Sequence, residues 1–331
     1  MDNVVAKLPP ENIKPLRDSC LSISDGESEK PRVFMIPILG NSGKYDVATY
    51  TLDDSFFSTK RAGDLERLDA FVLASILSNE ECDNLINASE TVGLSYWDET
   101  RKKSRKIREC KTIECVLPEF TEAVWRRIEN AFAGYEFNSR KLNTELHHSH
   151  FGIWIPYGFN PHVLISRYDP GDHFSPHIDG SCDIDINNRS FFSVIFYLNE
   201  VKSGGGTAFF DRTVSQQELL RNRAASITTA TSSCIPMTTH SPKPGEALFF
   251  EHNLLHEGLQ VENGSVKYII RTDLMFERKE KIFQSPSDER ALSMIKEAQR
   301  LESSGDTESS LRILMKIRHI SPGVAEMFAL T

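Results

Sequence analysis

Arg167-Tyr168-Asp169-Pro170-Gly171-Asp172-His173-Phe174-Ser175-Pro176-His177-Ile178-Asp179 is the stretch on which the reading of this chain turns. An apolar, β-prone run, His162-Val163-Leu164-Ile165-Ser166, leads into it, and a Pro-Gly turn interrupts it. It ends on a histidine and an aspartate two positions apart. On a strand such residues point the same way, so His177 and Asp179 are expected to share one face. A third ligand from a distant strand would complete a 2-His-1-carboxylate face on a metal, which leaves the other side of an iron(II) open. The tripeptide alone is common, and its ordinary meaning is a surface His and Asp on a loop. Its setting changes that. His256 follows 77 residues after Asp179, in His256-Glu257-Gly258, with Lys267-Tyr268 eleven residues beyond His256. His256 is the better distal candidate than His252, and His173 is expected to be a structural or supporting histidine.

From residue 162 onward the sequence consists of short β-rich runs bounded by turns. The strongest covers residues 190–198, Ser-Phe-Phe-Ser-Val-Ile-Phe-Tyr-Leu. Gly204-Gly205-Gly206-Thr207-Ala208-Phe209-Phe210 restarts a strand after a tight turn, and residues 247–250 and 268–276 complete the set. Many short strands with turn signals, preceded by helices, predict a β-barrel or jelly roll with helices outside. Residues 213–244 interrupt this with a polar Ser/Thr-rich stretch that reads as a mobile insertion or lid.

Upstream, residues 1–60 read as a lead-in, loosely ordered at its start and with a possible early strand at 33–39. Residues 61–160 read as helical support for the catalytic core at 161–278. Leu68-Asp69-Ala70-Phe71-Val72-Leu73 predicts a strand. Ser78-Asn79-Glu80-Glu81 is a capping-box pattern before Cys82, Leu85 and Ile86 at helical spacing. A second amphipathic helix is predicted across 118–132, with Phe120, Val124, Ile128 and Phe132 at four-residue steps. Residues 285–331 turn helical again. Ala298, Leu301, Gly305, Ser310, Leu314, Ile317 and Pro322 fall at the spacings of one tetratricopeptide-like unit. A single copy cannot bury its face as a solenoid does, so a helical hairpin packed on the barrel is the leading reading and a partner-binding surface the minority one.

With 331 residues, 39% hydrophobic and 26% charged, the composition is that of a globular protein. The net charge of −9 argues against broad nucleic-acid binding as the main task. No apolar run is long enough to span a membrane, and the first ten residues lack the apolar core of a signal peptide. The expectation is a cytoplasmic or nuclear protein. Its six cysteines include no C-x-x-C pair, so neither a zinc site nor a disulfide framework is expected, and Cys110 and Cys115 read as reduced thiols. His147, His148 and His150 could bind metal, with a polar loop the better reading.

The segment from about 68 to 278 resembles the prolyl 4-hydroxylase-type branch of the iron(II)/2-oxoglutarate dioxygenases. The matching elements are Tyr168-Asp169-Pro170-Gly171, His177-Ile178-Asp179, Phe196-Tyr197-Leu198-Asn199 and Gly204-Gly205-Gly206-Thr207. They continue with Pro244-Gly245-Glu246-Ala247-Leu248-Phe249-Phe250 and with His256-Glu257-Gly258 through Lys267-Tyr268. Ser78-Asn79-Glu80-Glu81-Cys82 is similar to the family's opening helix.

The resemblance implies an α+β, mainly β fold. This is a double-stranded β-helix (jelly-roll or cupin-like) barrel, here with supporting N-terminal helices and the C-terminal helical hairpin. It implies iron(II) held by His177, Asp179 and His256, with 2-oxoglutarate as co-substrate, O2 as oxidant and ascorbate as an accessory reductant. Lys267 stands at the family position for the distal carboxylate of 2-oxoglutarate, and Arg271, on the same strand face, offers a bidentate fork as the alternative. Tyr168 and Tyr197 match tyrosines that hydrogen-bond the co-substrate. Asp179 favours hydroxylation, since related halogenases lack this carboxylate. The implied reaction is hydroxylation of a C–H bond with release of succinate and CO2, foremost on a prolyl residue of a protein or peptide.

Three alternatives stand beside it: a small-molecule oxygenase, a nucleic-acid demethylase of the AlkB-like kind, and a non-catalytic barrel acting as a scaffold through its C-terminal hairpin. The demethylases carry a closely spaced arginine pair after the distal histidine, which Arg271 and Arg278 do not reproduce. The basic run Arg101-Lys102-Lys103-Ser104-Arg105-Lys106-Ile107-Arg108 reads as a solvated loop, an import signal or a contact for an acidic substrate.

Overall fold

The computed structural model describes residues 70–96, 107–141, 148–211, 213–217, 219–220 and 235–330. The lead-in with its early strand at 33–39, the basic residues 101–106, His147 and the stretch 221–234 lie outside these residues.

In chain order the fold begins with β1 (Ala70–Leu73), helix α1 (Asn79–Val92), β2 (Ser95–Tyr96), β3 (Arg108–Glu109), β4 (Lys111–Val116) and helix α2 (Pro118–Ile128). Next come β5 (Phe137–Asn138), β6 (Ile153–Phe159), β7 (His162–Tyr168), β8 (His173–His177), β9 (Asp183–Asp185) and β10 (Asn188–Tyr197). β11 (Thr207–Phe209), β12 (Thr238–His240), β13 (Ala247–Glu251), β14 (His256–Gly258) and β15 (Lys267–Arg278) follow. The helices α3 (Pro286–Ser303), α4 (Thr307–Ile320) and α5 (Pro322–Met327) close the chain. One sheet runs β1-β13-β10-β15-β7-β4-β2 along its main path, and a five-stranded sheet runs β12-β11-β14-β8-β3. The ladders that frame the site, β13 with β10, β15 with β7, β11 with β14 and β14 with β8, are antiparallel. This is the expected mixed fold with mainly antiparallel sheets.

Helix α1 starts where its sequence pattern says it should. Glu81 N–H donates to Ser78 Oγ (3.1 Å) and Ser78 N–H to Glu81 Oε2 (2.9 Å), a reciprocal capping box. Helix α2 buries Phe120, Val124 and Ile128 at four-residue steps. The predicted single helix to Phe132 is corrected at its end, because Glu129–Phe132 tightens into a 3₁₀ turn, a common way to finish an α-helix. Part of the polar stretch 213–244 is strand, at Thr238–His240. Its downstream end is β12, with Phe209 opposite Thr238 and Thr207 opposite His240. At Gly204 the φ is +73°, and a Cβ there would lie 2.2 Å from the Gln260 carbonyl oxygen. Only glycine fits this turn.

An aromatic cluster packs beneath β13. Phe249 is fully buried and stacks on Phe71 at 4.7 Å, with Phe132 at 6.0 Å and Phe159 at 6.1 Å. Replacing Phe249 by Ala deletes the centre of this cluster and should cost about 3–5 kcal/mol of stability, read by urea unfolding. A loss under about 1 kcal/mol would show that the neighbouring rings close over the deletion.

Contacts divide the chain into two compact units. The first gathers the described residues up to Tyr135, Pro156–Asp183 and Arg189–Phe276, and it carries all the candidate site residues. The second gathers Glu136–Ile155, Ile184–Asn188 and the residues from Glu277 onward. Within it Ala291, Ile295, Ile317, Val324 and Ala325 form one small core. Gly305, at φ +86°, turns the chain between α3 and α4, and Pro322 opens α5.

Candidate active site

His177 and His256 face each other as direct cross-strand partners on β8 and β14. Their rings lie 4.2 Å apart. Each Nδ1 is spoken for: His177 Nδ1 donates to the Ser175 carbonyl (2.8 Å) and His256 Nδ1 to the Leu254 carbonyl (2.8 Å). A carbonyl can only accept, so both rings carry their proton on Nδ1 and present a bare Nε2. His177 Nε2 is 3.6 Å from Asp179 Oδ1, and His256 Nε2 is 3.8 Å from Asp179 Oδ2. One ligand atom from each of the three residues lies within 4.8 Å of the others. Two neutral imidazole nitrogens and a carboxylate oxygen, all aimed at one point, could hold a divalent metal.

The expectation of a strand-borne His-x-Asp needs a correction. β8 ends at His177, and Asp179 lies just beyond it. What fixes the aspartate is its surroundings rather than the strand pleat. Its N–H donates to the His252 carbonyl (2.9 Å), and Ser193 Oγ donates to its Oδ2. Burial alone would raise the Asp179 carboxyl. The Arg271 guanidinium, then the two imidazoles and Ser193, hold it well below the usual carboxylate range. Burial, reinforced by His256, pushes His177 down to about 3. Burial lowers His256 as well. The ligand set therefore needs no proton removed near neutral pH.

Lys267 opens β15 directly opposite Tyr168 on β7. It is 3% exposed, and its ammonium sits over the Tyr168 ring (5.2 Å) and the Tyr197 ring (5.6 Å). Among the described residues it has no carboxylate or hydrogen-bond partner, and burial pushes it down to about 8. The Tyr197 hydroxyl shares a hydrogen bond with Thr207 Oγ1 (2.8 Å). Tyr168 is buried in the same cluster as Tyr197, Ile195, Leu248, Phe250 and Ile269. Strand alternation puts Lys267, Ile269 and Arg271 on one face.

The site residues expected from sequence thus fall into two groups. His177, Asp179 and His256 meet at one place, and Lys267, Tyr168 and Tyr197 at another. Arg271 does not join the second group. Its Nη2 lies 3.0 Å from Asp273 Oδ1 and 3.5 Å from Asp179 Oδ2 and donates to Ser193 Oγ (3.1 Å). His252 and Ser193, which no motif flagged, stand behind Asp179. His173 pairs with Glu109 at the sheet's β3 edge and is not among the three residues whose ligand atoms converge. Arg108, the described end of the basic run, lies over the Phe174 ring (5.1 Å), which stacks on His177 (3.5 Å).

Residues 163–272 match the family model described as the 2OG-Fe(II) oxygenase superfamily. No curated protein matches the sequence. Among solved structures, a viral collagen prolyl hydroxylase from Paramecium Bursaria Chlorella virus-1 in complex with 2OG is 19% identical, covering 66% of this chain and 100% of that one, at a TM-score of 0.39. A Pseudomonas putida prolyl-4-hydroxylase is 14% identical over 65% of this chain and 96% of that one, at a TM-score of 0.38. A prolyl hydroxylase from Trichoplax adhaerens, in complex with a hypoxia inducible factor peptide fragment, is 15% identical over 67% and 90%, at a TM-score of 0.40. Over residues 163–272 the family model agrees with the resemblance read from the motifs. The matched segment holds every motif from Tyr168 to Lys267, and over it the chain is similar to the 2OG-Fe(II) oxygenase superfamily.

Proposed function

We propose that this protein is an Fe(II)/2-oxoglutarate-dependent dioxygenase on a double-stranded β-helix, hydroxylating a C–H bond of its substrate, with a prolyl residue of a protein or peptide as the foremost substrate class. One observation carries the co-substrate reading. Lys267 is a buried ammonium with no anion beside it among the described residues, caged by two tyrosine rings, in the same unit as the triad. A buried charge without a partner is costly, and a bound carboxylate relieves that cost. The prolyl reading rests on the sequence motifs.

His177, Asp179 and His256 would hold the iron, with both Nδ1 atoms anchored to backbone so that the rings cannot swing. Bound there, iron(II) supplies the centre at which O2 and 2-oxoglutarate react to give succinate, CO2 and a hydroxylated product. Lys267 would fix the distal carboxylate of 2-oxoglutarate, and Tyr168 and Tyr197 would flank it. Ile195, Leu248, Phe250 and Ile269 line the core around this slot and exclude water. Arg271 is engaged by two protein carboxylates, so it is not the distal-carboxylate partner in this reading. Ile178, exposed between the two ligands His177 and Asp179, is placed to meet an incoming substrate.

The test is incubation of the purified protein with iron(II), 2-oxoglutarate, O2 and ascorbate, together with lysate proteins and proline-rich peptides. The expected result is iron-dependent succinate release, with one oxygen atom gained on a residue located by mass spectrometry. Oxygen gained on residues other than proline would move the substrate class. No succinate and no oxygen gain, with co-substrate binding absent, would overturn the proposal.

A further inference from the structure

Behind Asp179 the barrel carries an ordered set of polar side chains that metal ligation itself does not require. Ser193 Oγ has one proton and three neighbours. It contacts Asp179 Oδ2, His252 Nδ1 (2.9 Å) and Arg271 Nη2 (3.1 Å). The carboxylate and the guanidinium settle the directions. An ionised carboxylate only accepts, so the hydroxyl proton goes to Asp179, and arginine only donates. His252 Nδ1 must then be the second donor to Ser193. With its proton on Nδ1, His252 accepts at Nε2 from the Ser190 hydroxyl (2.8 Å), and Ser190 Oγ in turn accepts from Cys182 N–H (2.8 Å). Every member has one consistent role.

Arg271 is fixed independently of the metal. Its charge is met by Asp273, which is fully buried and accepts from Asn160 Nδ2 (3.1 Å) on the other side. With Oδ2 of Asp179 occupied by Ser193 and faced by Arg271, the oxygen left for a metal is Oδ1, 3.6 Å from His177 Nε2.

Resting on the metal-site reading above, we infer that Ser193, His252 and Arg271 are positioning residues that hold the Asp179 carboxylate in one orientation, with Oδ2 capped and Oδ1 presented to the metal. They touch neither substrate nor co-substrate in this role and act through the ligand. Outer partners of this kind are worth about 10–100-fold in metal affinity. A free carboxylate could rotate or bind through both oxygens, and the cap removes that freedom.

The test uses Co(II) as the probe, titrated into the whole 331-residue chain and followed by its visible absorption band. Ser193→Ala and Ser193→Val should weaken Co(II) binding by roughly 10–100-fold and change the band. Ser193→Thr, which keeps the hydroxyl on a side chain of valine's shape, should bind as wild type does. That contrast separates the hydrogen bond from packing. If the Ala and Val variants do not fold, Arg271→Lys keeps the charge but loses the guanidinium Nη2 that reaches Ser193, Asp179 and Asp273. It should then weaken binding by at least about tenfold. Wild-type affinity and an unchanged band in the folded Ser193→Ala and Ser193→Val proteins, or in Arg271→Lys where these do not fold, would overturn the inference. Failure of the underlying reading looks different: wild type would bind no Co(II), and Asp179→Ala would change nothing.

Discussion

Asp179→Ala is expected to take iron-dependent succinate release below detection while leaving the protein folded. The first half follows from charge. His177 and His256 are neutral imidazoles in this burial, so Asp179 brings the only negative charge of the three ligands. Arg271 Nη2 lies 3.5 Å from it. Without the carboxylate, a cation entering the site would meet two neutral rings with a guanidinium close by. The second half follows from Asp273. Breaking a buried ion pair is damaging when it orphans a charge, at about 3–5 kcal/mol. Here Arg271 keeps Asp273 at 3.0 Å and a hydrogen bond to Ser193, so the stability loss should fall below that range. Asp179→Asn keeps the shape and one oxygen but not the charge, and it should lose most metal affinity as well. Equilibrium metal binding and a succinate assay on the purified variants check this. Retained iron-dependent turnover in Asp179→Ala would reject the ligand assignment.

How much of this was legible beforehand depended on how local each feature is. The capping box from Ser78 to Glu81 spans four residues and is written in the sequence as it is built in the fold. The strand at 162–168 is also local, since its β-rich run needs no partner to be recognised. The pairing of His177 with His256 was legible only because motifs flank both. Their cross-strand contact is a long-range fact that periodicity does not contain. Asp179 shows the limit of pattern reasoning. Spacing placed it beside His177 on a strand, yet the strand stops first, and a hydrogen bond to the His252 carbonyl and one from Ser193 hold it instead. Those partners come from two other strand regions and carry no motif of their own. Arg271 was read as an alternative fork for the carboxylate of 2-oxoglutarate, but its Nη2 faces protein carboxylates instead. Those carboxylates belong to Asp179 and to Asp273, two residues along the arginine's own strand. In the stretch 213–244, polarity and length suggested a mobile insertion or lid. Thr238–His240 nonetheless joins a sheet, because its strand is short and its pairing depends on β11 rather than on its own composition.

Lys267→Ala is expected to raise the 2-oxoglutarate concentration needed for half-maximal turnover by at least roughly 30-fold, the lower end of the about 2–5 kcal/mol that truncating one side of a buried charge pair costs. In the free protein this ammonium is strained rather than satisfied: burial pushes it down to about 8, and two tyrosine rings are its main company. A dianionic co-substrate would stabilise the charged form and raise that value on binding. The sign of the pH effect follows. Below about 8 the lysine is already charged and the requirement for 2-oxoglutarate stays level. Above it, binding must also take up a proton, and the requirement climbs about tenfold per pH unit until the value of the complex is reached. Lys267→Arg, protonated throughout, should flatten that climb. Arg271→Ala should behave otherwise, weakening the metal far more than the co-substrate, because its guanidinium serves Asp179. Half-saturation curves for 2-oxoglutarate at saturating iron, across pH 6 to about 9.5, separate the two. A larger rise from Arg271→Ala than from Lys267→Ala, with metal affinity intact, would hand the distal carboxylate to the arginine.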